Sequence, residues 1–335
     1  VKMVGFMFSY LELFDLLLLL QGMVTFYFSN PHTRQTLAEW MSEKGVSRSG
    51  RVGLTKLSIL ICDVPEKTNV SDFFGSILPT GQNFKQMTRP NRWHEILEDR
   101  FNLMANVKIF KNCEVVKLRC SSGGWDVKDA TVRNTKSGQS HTIAGDTFVL
   151  CCQSDALCKI LKDSDRLCRD NWRSLGWLTD WCKHTHYDSI GFQLHWRDRV
   201  EFPTEWNWSI RTDWSIIILP VSNWLDKPSK DSKINTVWSC CIIDFDTKSR
   251  RTGRTPNQCS IQQIVDESLR QLKTVYPTLR KPDAVSISPG LRKQNDKWRS
   301  NNTGFTRGRR GYLPMKGDRC ENLFALGCFT YTRPE

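Results

Sequence analysis

Three side chains able to bind a soft metal, Cys182, His184 and His186, alternate along the chain, and His195 follows a little later. On an extended strand, residues at i and i+2 share a face, so such a set could converge on one ion. No further ligand pair stands at a recognised zinc spacing, and half-exposed histidines are common on strands, so no metal is expected. Nothing marks a nucleophile either. No Ser-His-Asp or Cys-His order can be argued, and the catalytic residues stay unnamed. Asp244 and Asp246 flank Phe245 and share a face, but beside Lys248, Arg250 and Arg251 they read as a solvated, salt-bridged turn.

The 335 residues carry 48 Lys plus Arg against 35 Asp plus Glu, a net charge of +13. A surplus of that size attracts polyanions. Part of it is local: nine basic residues lie between Arg292 and Arg319, opposed only by Asp296 and Asp318. A solvated loop explains the cluster, no groove-reading motif accompanies it, and nucleic acid is not the expected partner. The thirteen cysteines form no C-x-x-C, and their odd number argues against a secreted disulfide framework. The adjacent pairs Cys151-Cys152 and Cys240-Cys241 lie on strand-like runs, where neighbours point to opposite faces and cannot bridge. Buried, reduced thiols in a cytoplasmic protein are the expectation. The apolar run from Leu16 to Phe28 is interrupted by acids upstream and closed by Arg34. It reads as a buried helix, not as a membrane span or a signal peptide.

Residues 1–100 read as mostly helical. Leu37, Trp40 and Met41 share a helical face that Gly45 ends, and a further helix covers Trp93 to Phe101. Strands are expected at Val107–Phe110, Glu114–Leu118, Trp125–Asn134 and Ser140–Ala144. Thr147–Cys152 is a continuous apolar run, as a strand covered on both faces requires. Four more strands are expected at Ile190–Trp196, Trp206–Arg211, Trp214–Val221 and Thr236–Phe245. An amphipathic helix then runs from Ile261 to Val275 and stops at Pro277. Nine tryptophans, from Trp172 to Trp238, crowd the middle third. Most suit a sheet core, and one or two could line a pocket.

Asp146-Thr-Phe-Val-Leu-Cys-Cys-Gln-Ser-Asp-Ala-Leu157 resembles a recurring element of the flavin-containing, FAD-dependent amine oxidases: an acid, a buried strand, a turn, and a helix opening on Ala-Leu. Three further elements follow the family's order. Asn112-Cys-Glu-Val115 resembles the strand whose valine meets the adenine end of FAD. Trp298, ahead of Asn301, Asn302 and Gly304, resembles the Trp-containing segment near the flavin. Asn322-Leu-Phe-Ala-Leu-Gly-Cys-Phe-Thr330 resembles the final strand and glycine turn that approach the pyrophosphate and ribityl chain. The likeness runs from about Pro90 to the end. It departs from the family at Gln153, where proline is usual, and at Cys328, where an acid commonly follows the glycine.

The resemblance implies an α/β fold: a partial FAD-binding, Rossmann-like domain with a mixed-sheet substrate domain. Residues 101–162 and 291–335 would form the first, and residues 163–290, with the helical segment 1–100, the second. It implies FAD as cofactor, an amine as substrate, and Val115, Trp298, Gly327, Cys328 and Thr330 as cofactor-binding residues. The twenty glycines nevertheless form no G-x-G-x-x-G, the turn whose amides and helix N-terminus hold a pyrophosphate. The expectation is therefore an oxidoreductase-like chain that is incomplete or inactive and does not hold FAD alone. The alternative is a degenerate flavoprotein scaffold that binds an anionic partner such as nucleic acid.

Overall fold

The computed structural model describes residues 11–28, 34–61, 63–77, 92–122, 125–201, 207–209, 211–223, 233–300, 304–305 and 310–331. The chain divides into two units. One holds residues 1–95 and 187–309, the other residues 96–186 and 310–335. Residues 96–100, 163–186 and 291–309 thus fall on the other side of the division from the one the sequence suggested.

In chain order the helices are α1 (Leu13–Gly22, continued by a π-helical stretch Met23–Phe28), α2 (Leu37–Glu43), α3 (Arg48–Ile61), α4 (Val70–Ile77), α5 (Arg92–Asn102), α6 (Ser154–Lys162), α7 (Arg166–Arg169), α8 (Leu175–Thr185) and α9 (Ile261–Val275). The strands are β1 (Cys113–Cys120), β2 (Val127–Asn134), β3 (Ser140–Ala144), β4 (Phe148–Leu150), β5 (His186–Tyr187), β6 (Ile190–Trp196), β7 (Asn207–Ser209), β8 (Ile216–Leu219), β9 (Thr236–Ile242), β10 (Ala284–Ile287), β11 (Arg292–Gln294), β12 (Lys297–Arg299), β13 (Gly304–Phe305), β14 (Leu313–Pro314), β15 (Leu323–Ala325) and β16 (Thr330–Tyr331).

The first unit is built on a five-stranded sheet, β10-β6-β9-β8-β7, in which every neighbouring pair is antiparallel. The expected mixed sheet is therefore corrected. Alternation explains the sheet: Ile190, Phe192, Leu194 and Trp196 on β6 and Thr236, Trp238, Cys240 and Ile242 on β9 are all buried. Helix α9 covers this face with Ile264, Val265 and Leu272. Ser260 caps it: its hydroxyl accepts from Gln263 N (3.3 Å), and the Gln263 side chain accepts from Ser260 N (2.9 Å). A second core in this unit gathers Leu37, Trp40, Met41, Leu54, Val70, Phe73 and Phe74 from α2, α3 and α4. Thr36 and Glu39 form the same reciprocal cap on α2, and Gly45, with φ of 68°, ends that helix.

The apolar run starting at Leu16 is not a buried helix throughout. Leu18 and Leu19 are buried, but Leu13, Leu17, Leu20 and Val24 are exposed, so the stretch is apolar on its outward side as well as its buried side. Among the described residues no helix is long and apolar enough to cross a membrane.

The second unit holds an antiparallel meander, β1-β2-β3, and a parallel pair, β4 with β15. Residues 107–110 form no strand. Strand β4 is not covered on both faces, because Val149 is 46% exposed. Cys182 and His184 lie on α8, where i and i+2 point 200° apart, so the shared face expected of a strand does not exist. His184 Nδ1 instead meets the carbonyl of Asp180 at 2.8 Å. The described cysteines form no disulfide, and Cys151 and Cys328 are exposed rather than buried.

Candidate functional site

The parallel pair leads into the segment that carries three of the five residues the resemblance implies for the cofactor, Gly327, Cys328 and Thr330. Leu323, Phe324 and Ala325 stand opposite Phe148, Val149 and Leu150, so both strands end at the same edge. In open α/β sheets ligands collect at such carboxyl ends. Backbone bonds from Phe148 N to Asn322 O (2.8 Å) and from Leu326 N to Leu150 O (3.0 Å) close the pair at each end. Beyond this edge, Cys151 leads into α6 on one strand and Gly327 opens a turn on the other.

Asn322 aligns the pair with the meander. Its Oδ1 accepts from Val127 N (2.8 Å), and its Nδ2 donates to Val127 O (2.8 Å) and Asp146 O (3.0 Å). One side chain thus ties the start of β2 to the start of β4. Asn322→Ala should lower unfolding free energy by about 2–3 kcal/mol, at roughly 1 kcal/mol per bond. Urea unfolding measures this, and a loss below about 0.5 kcal/mol would show that the three bonds do not hold the two sheets in register.

Gly327, Cys328 and Thr330 share one turn. The Thr330 hydroxyl donates to Gly327 O (2.9 Å) and accepts from Gly327 N (3.1 Å). Phe329 is buried between them and meets Trp181 edge to face, with ring centroids 6.0 Å apart. Val115 lies half-buried on β1, the outer strand of the meander, opposite Val132 and next to a bulge.

Trp298 belongs to the other unit. It is 8% exposed and packs into the core beneath the five-stranded sheet. Its Nε1 donates to Cys259 O (3.3 Å), its backbone N donates to the Asn257 side chain (3.0 Å), and Lys293 Nζ lies 5.9 Å from its ring centroid. Trp196, Trp214 and Trp238 share this core, and Trp196 and Trp238 meet edge to face with centroids 5.0 Å apart. Trp172 and Trp181 are buried in the second unit. Trp206 and Trp224 lie outside the described residues.

The first unit also contains a cleft of about 470 Å³ lined by Arg251, Arg254, Gln263, Asp266, Glu267 and Arg270, among others. Nothing in the residue spacing signalled it. Its floor is a bonded carboxylate: Glu267 accepts from Ser249 Oγ (2.5 Å), Gln271 Nε2 (3.0 Å) and, on both oxygens, Arg270 (2.5 and 2.8 Å). Burial works against its charge, but these donors outweigh burial and hold the carboxyl down at about 2. A group pinned in the charged form is a poor proton shuttle at neutral pH, so Glu267 reads as a structural anchor. The turn at Asp244 is likewise structural. Its carboxylate accepts from Asp246 N, Thr247 N and Thr247 Oγ1, and the residue is 8% exposed, not the solvated salt bridge expected. Within the basic segment β11 and β12 form a hairpin, with Arg299 paired to Asp188 (2.8 Å), and Arg310 pairs with Asp180 (2.6 Å). Arg307 and Arg309 lie outside the described residues.

FAD, the cofactor implied by the resemblance, needs free donors for its pyrophosphate. The Gly327 amide is already engaged by Thr330, and a Cβ at position 327 would lie 2.7 Å from the Phe329 ring. Glycine there answers to packing inside the turn. On the outer edge of β1, the amides of Leu118 and Cys120 donate to Ser164 and Asp165. These donors do not make a pyrophosphate site by themselves.

No family model and no curated protein matches the sequence. Solved structures do. An oxidoreductase from Methanosarcina mazei aligns with 96% of this chain and 69% of its own, at a TM-score of 0.64 and 12% identity. A candidate protoporphyrinogen oxidase from Exiguobacterium sp. 255-15 aligns with 92% of this chain and 67% of its own, at a TM-score of 0.49 and 13% identity. The chain therefore has a mixed α/β fold of the kind found in the Methanosarcina oxidoreductase.

Proposed function

We propose that this chain forms the larger part of an FAD-dependent oxidoreductase that oxidises an amine C–N bond by hydride transfer to flavin. The observation that carries the reading is the β4–β15 pair. Its two strands, each drawn from a segment resembling the amine oxidases, are joined in parallel and end together at the Gly327 turn. The chain would supply the scaffold at Val115 and at Gly327, Cys328 and Thr330, while Trp298 packs the core of the other unit. The pyrophosphate turn would come from residues outside these 335. When bound, the flavin supplies the redox chemistry, and the protein binds, orients and excludes water.

Two preparations test this. Protein made from the complete reading frame should purify with flavin absorption bands and form peroxide when given amines. Residues 1–335 alone should be colourless. A complete product that is colourless and inactive would replace the oxidoreductase by the degenerate scaffold. In that case the net charge of +13 predicts binding to nucleic acid with a steep salt dependence and no sequence preference. Stoichiometric FAD on residues 1–335 alone would instead show that the phosphate site is complete within them.

A further inference from the structure

Three cysteines distant in sequence converge in the second unit. Cys120 ends β1, Cys168 lies in α7, and Cys320 lies on the approach to β15. Their sulfurs all lie within 4.8 Å of one another, and Sγ of Cys120 and Cys168 are 3.0 Å apart. Cys168 and Cys320 are 0% and 1% exposed, whereas Cys120 is half-buried and gives the cluster an opening. Three thiolates on one zinc ion, each about 2.3 Å from it, stand about 3.8 Å apart, within the spread seen here. From these positions we infer that Cys120, Cys168 and Cys320 form a three-thiolate site for a thiophilic d10 cation, zinc(II) or copper(I).

The surroundings hold the three sulfurs in place. The end of β1 is fastened to the turn between α6 and α7 by Leu118 N donating to Ser164 Oγ (2.8 Å), Asp165 N to Leu118 O (3.1 Å) and Cys120 N to Asp165 Oδ2 (2.8 Å). The loop carrying Cys320 is fastened just past α7 by Asn171. Its Oδ1 accepts from Arg319 N (2.9 Å) and Cys320 N (2.7 Å), and its carbonyl accepts from Asp318 N (2.7 Å). Gly317 fits against Asn171 so closely that a Cβ there would stand 2.4 Å from the Asn171 carbonyl oxygen. These bonds hold the segments carrying Cys120 and Cys320 beside α7, which carries Cys168, so that the three sulfurs face one another. Isolated buried cysteines behave as small hydrophobes, and one such residue would need no explanation. Three meeting from separate elements, with the segments of Cys120 and Cys320 fastened by polar contacts, have the arrangement of a ligand set with a supporting shell. Zinc(II) here would complete four-coordination with water on the Cys120 side, whereas copper(I) is satisfied by three thiolates. Binding exchanges thiol protons for the cation and involves no change of oxidation state.

The proposal does not depend on the flavin reading. Its test is titration of the reduced, metal-free chain with cadmium(II) as a spectroscopic probe. Separate arms compete zinc(II) and copper(I) against chromophoric chelators. One equivalent should produce thiolate-to-cadmium charge-transfer absorption, and the competition shows which ion is preferred. Cys120→Ser, Cys168→Ser and Cys320→Ser should each weaken binding by about 100-fold or more, beyond what losing a supporting residue does. Cys151→Ser and Cys328→Ser, at exposed thiols, should leave it unchanged. Because serine at a buried position can unfold the chain, wild-type protein is also alkylated with and without metal and mapped by peptide mass. Protection confined to Cys120, Cys168 and Cys320 supports the site. Absence of charge-transfer absorption, protection of other cysteines, or a Cys120–Cys168 disulfide that persists after reduction and excludes metal would each overturn it.

Discussion

Glu267→Ala should lower the unfolding free energy by about 3 kcal/mol. The carboxyl falls from an ordinary value of 4.5 to about 2 in the folded chain, and that drop alone corresponds to about 3 kcal/mol. Removing one partner of a buried pair can cost roughly 3–5 kcal/mol. The Arg270 side chain is 26% exposed, so water can reach the guanidinium once its partner is gone, and the lower end applies. The pH dependence has a definite sign. A carboxyl depressed in the folded state stabilises it above pH 4.5, and that contribution fades as pH falls from 4.5 through about 2. Glu267→Gln keeps the shape and cannot titrate. The stability gap between wild type and Glu267→Gln, read from denaturant unfolding, should narrow as pH is lowered through that window. A gap that stays constant would mean that the bonds to Ser249, Gln271 and Arg270 do not depend on the charge.

Trp298→Ala should also be severe, at about 3–5 kcal/mol, because it empties a large site in the core beneath the five-stranded sheet. The resemblance alone leads to a different expectation, a change in flavin environment or turnover with little change in stability. Burial of Trp298 at 8% exposure and its bond to Cys259 O argue for the stability term. Trp298→Phe separates the two, since it retains an aromatic core side chain and loses the indole N–H bond, worth about 1 kcal/mol. Thermal unfolding of the alanine and phenylalanine variants, with flavin spectra of the complete protein, reads both effects. An alanine variant as stable as wild type but altered in its flavin spectrum would return Trp298 to the cofactor.

The elements that were legible are those whose pattern is written at short range. Ile190–Trp196 alternates and is strand β6 with those limits, and Ile261–Val275, between Ser260 and Pro277, is helix α9 with those limits. Asp146–Leu157 does contain a strand followed by a helix, β4 and α6, even with glutamine at position 153. Local periodicity failed where two structures share one pattern. Cys182, His184 and His186 alternate as a strand would, yet the first two ride on α8. That helix is secured at long range, by burial of Leu178 and Trp181 and by the Trp181 indole bond to Gly311 O.

By itself, the sequence determined the helix caps, the alternating strands and the lack of a G-x-G-x-x-G turn, because each depends on residues a few positions apart. Only the tertiary structure decided which residues meet. The antiparallel order of the five-stranded sheet follows from pairing between segments far apart in the chain. The Asn322 lock joins residues 195 positions apart. Cys120, Cys168 and Cys320 carry no motif, since their spacing along the chain has no relation to their distance in space. Side-chain convergence of this kind is set by how sheets and loops pack, and no local period records it.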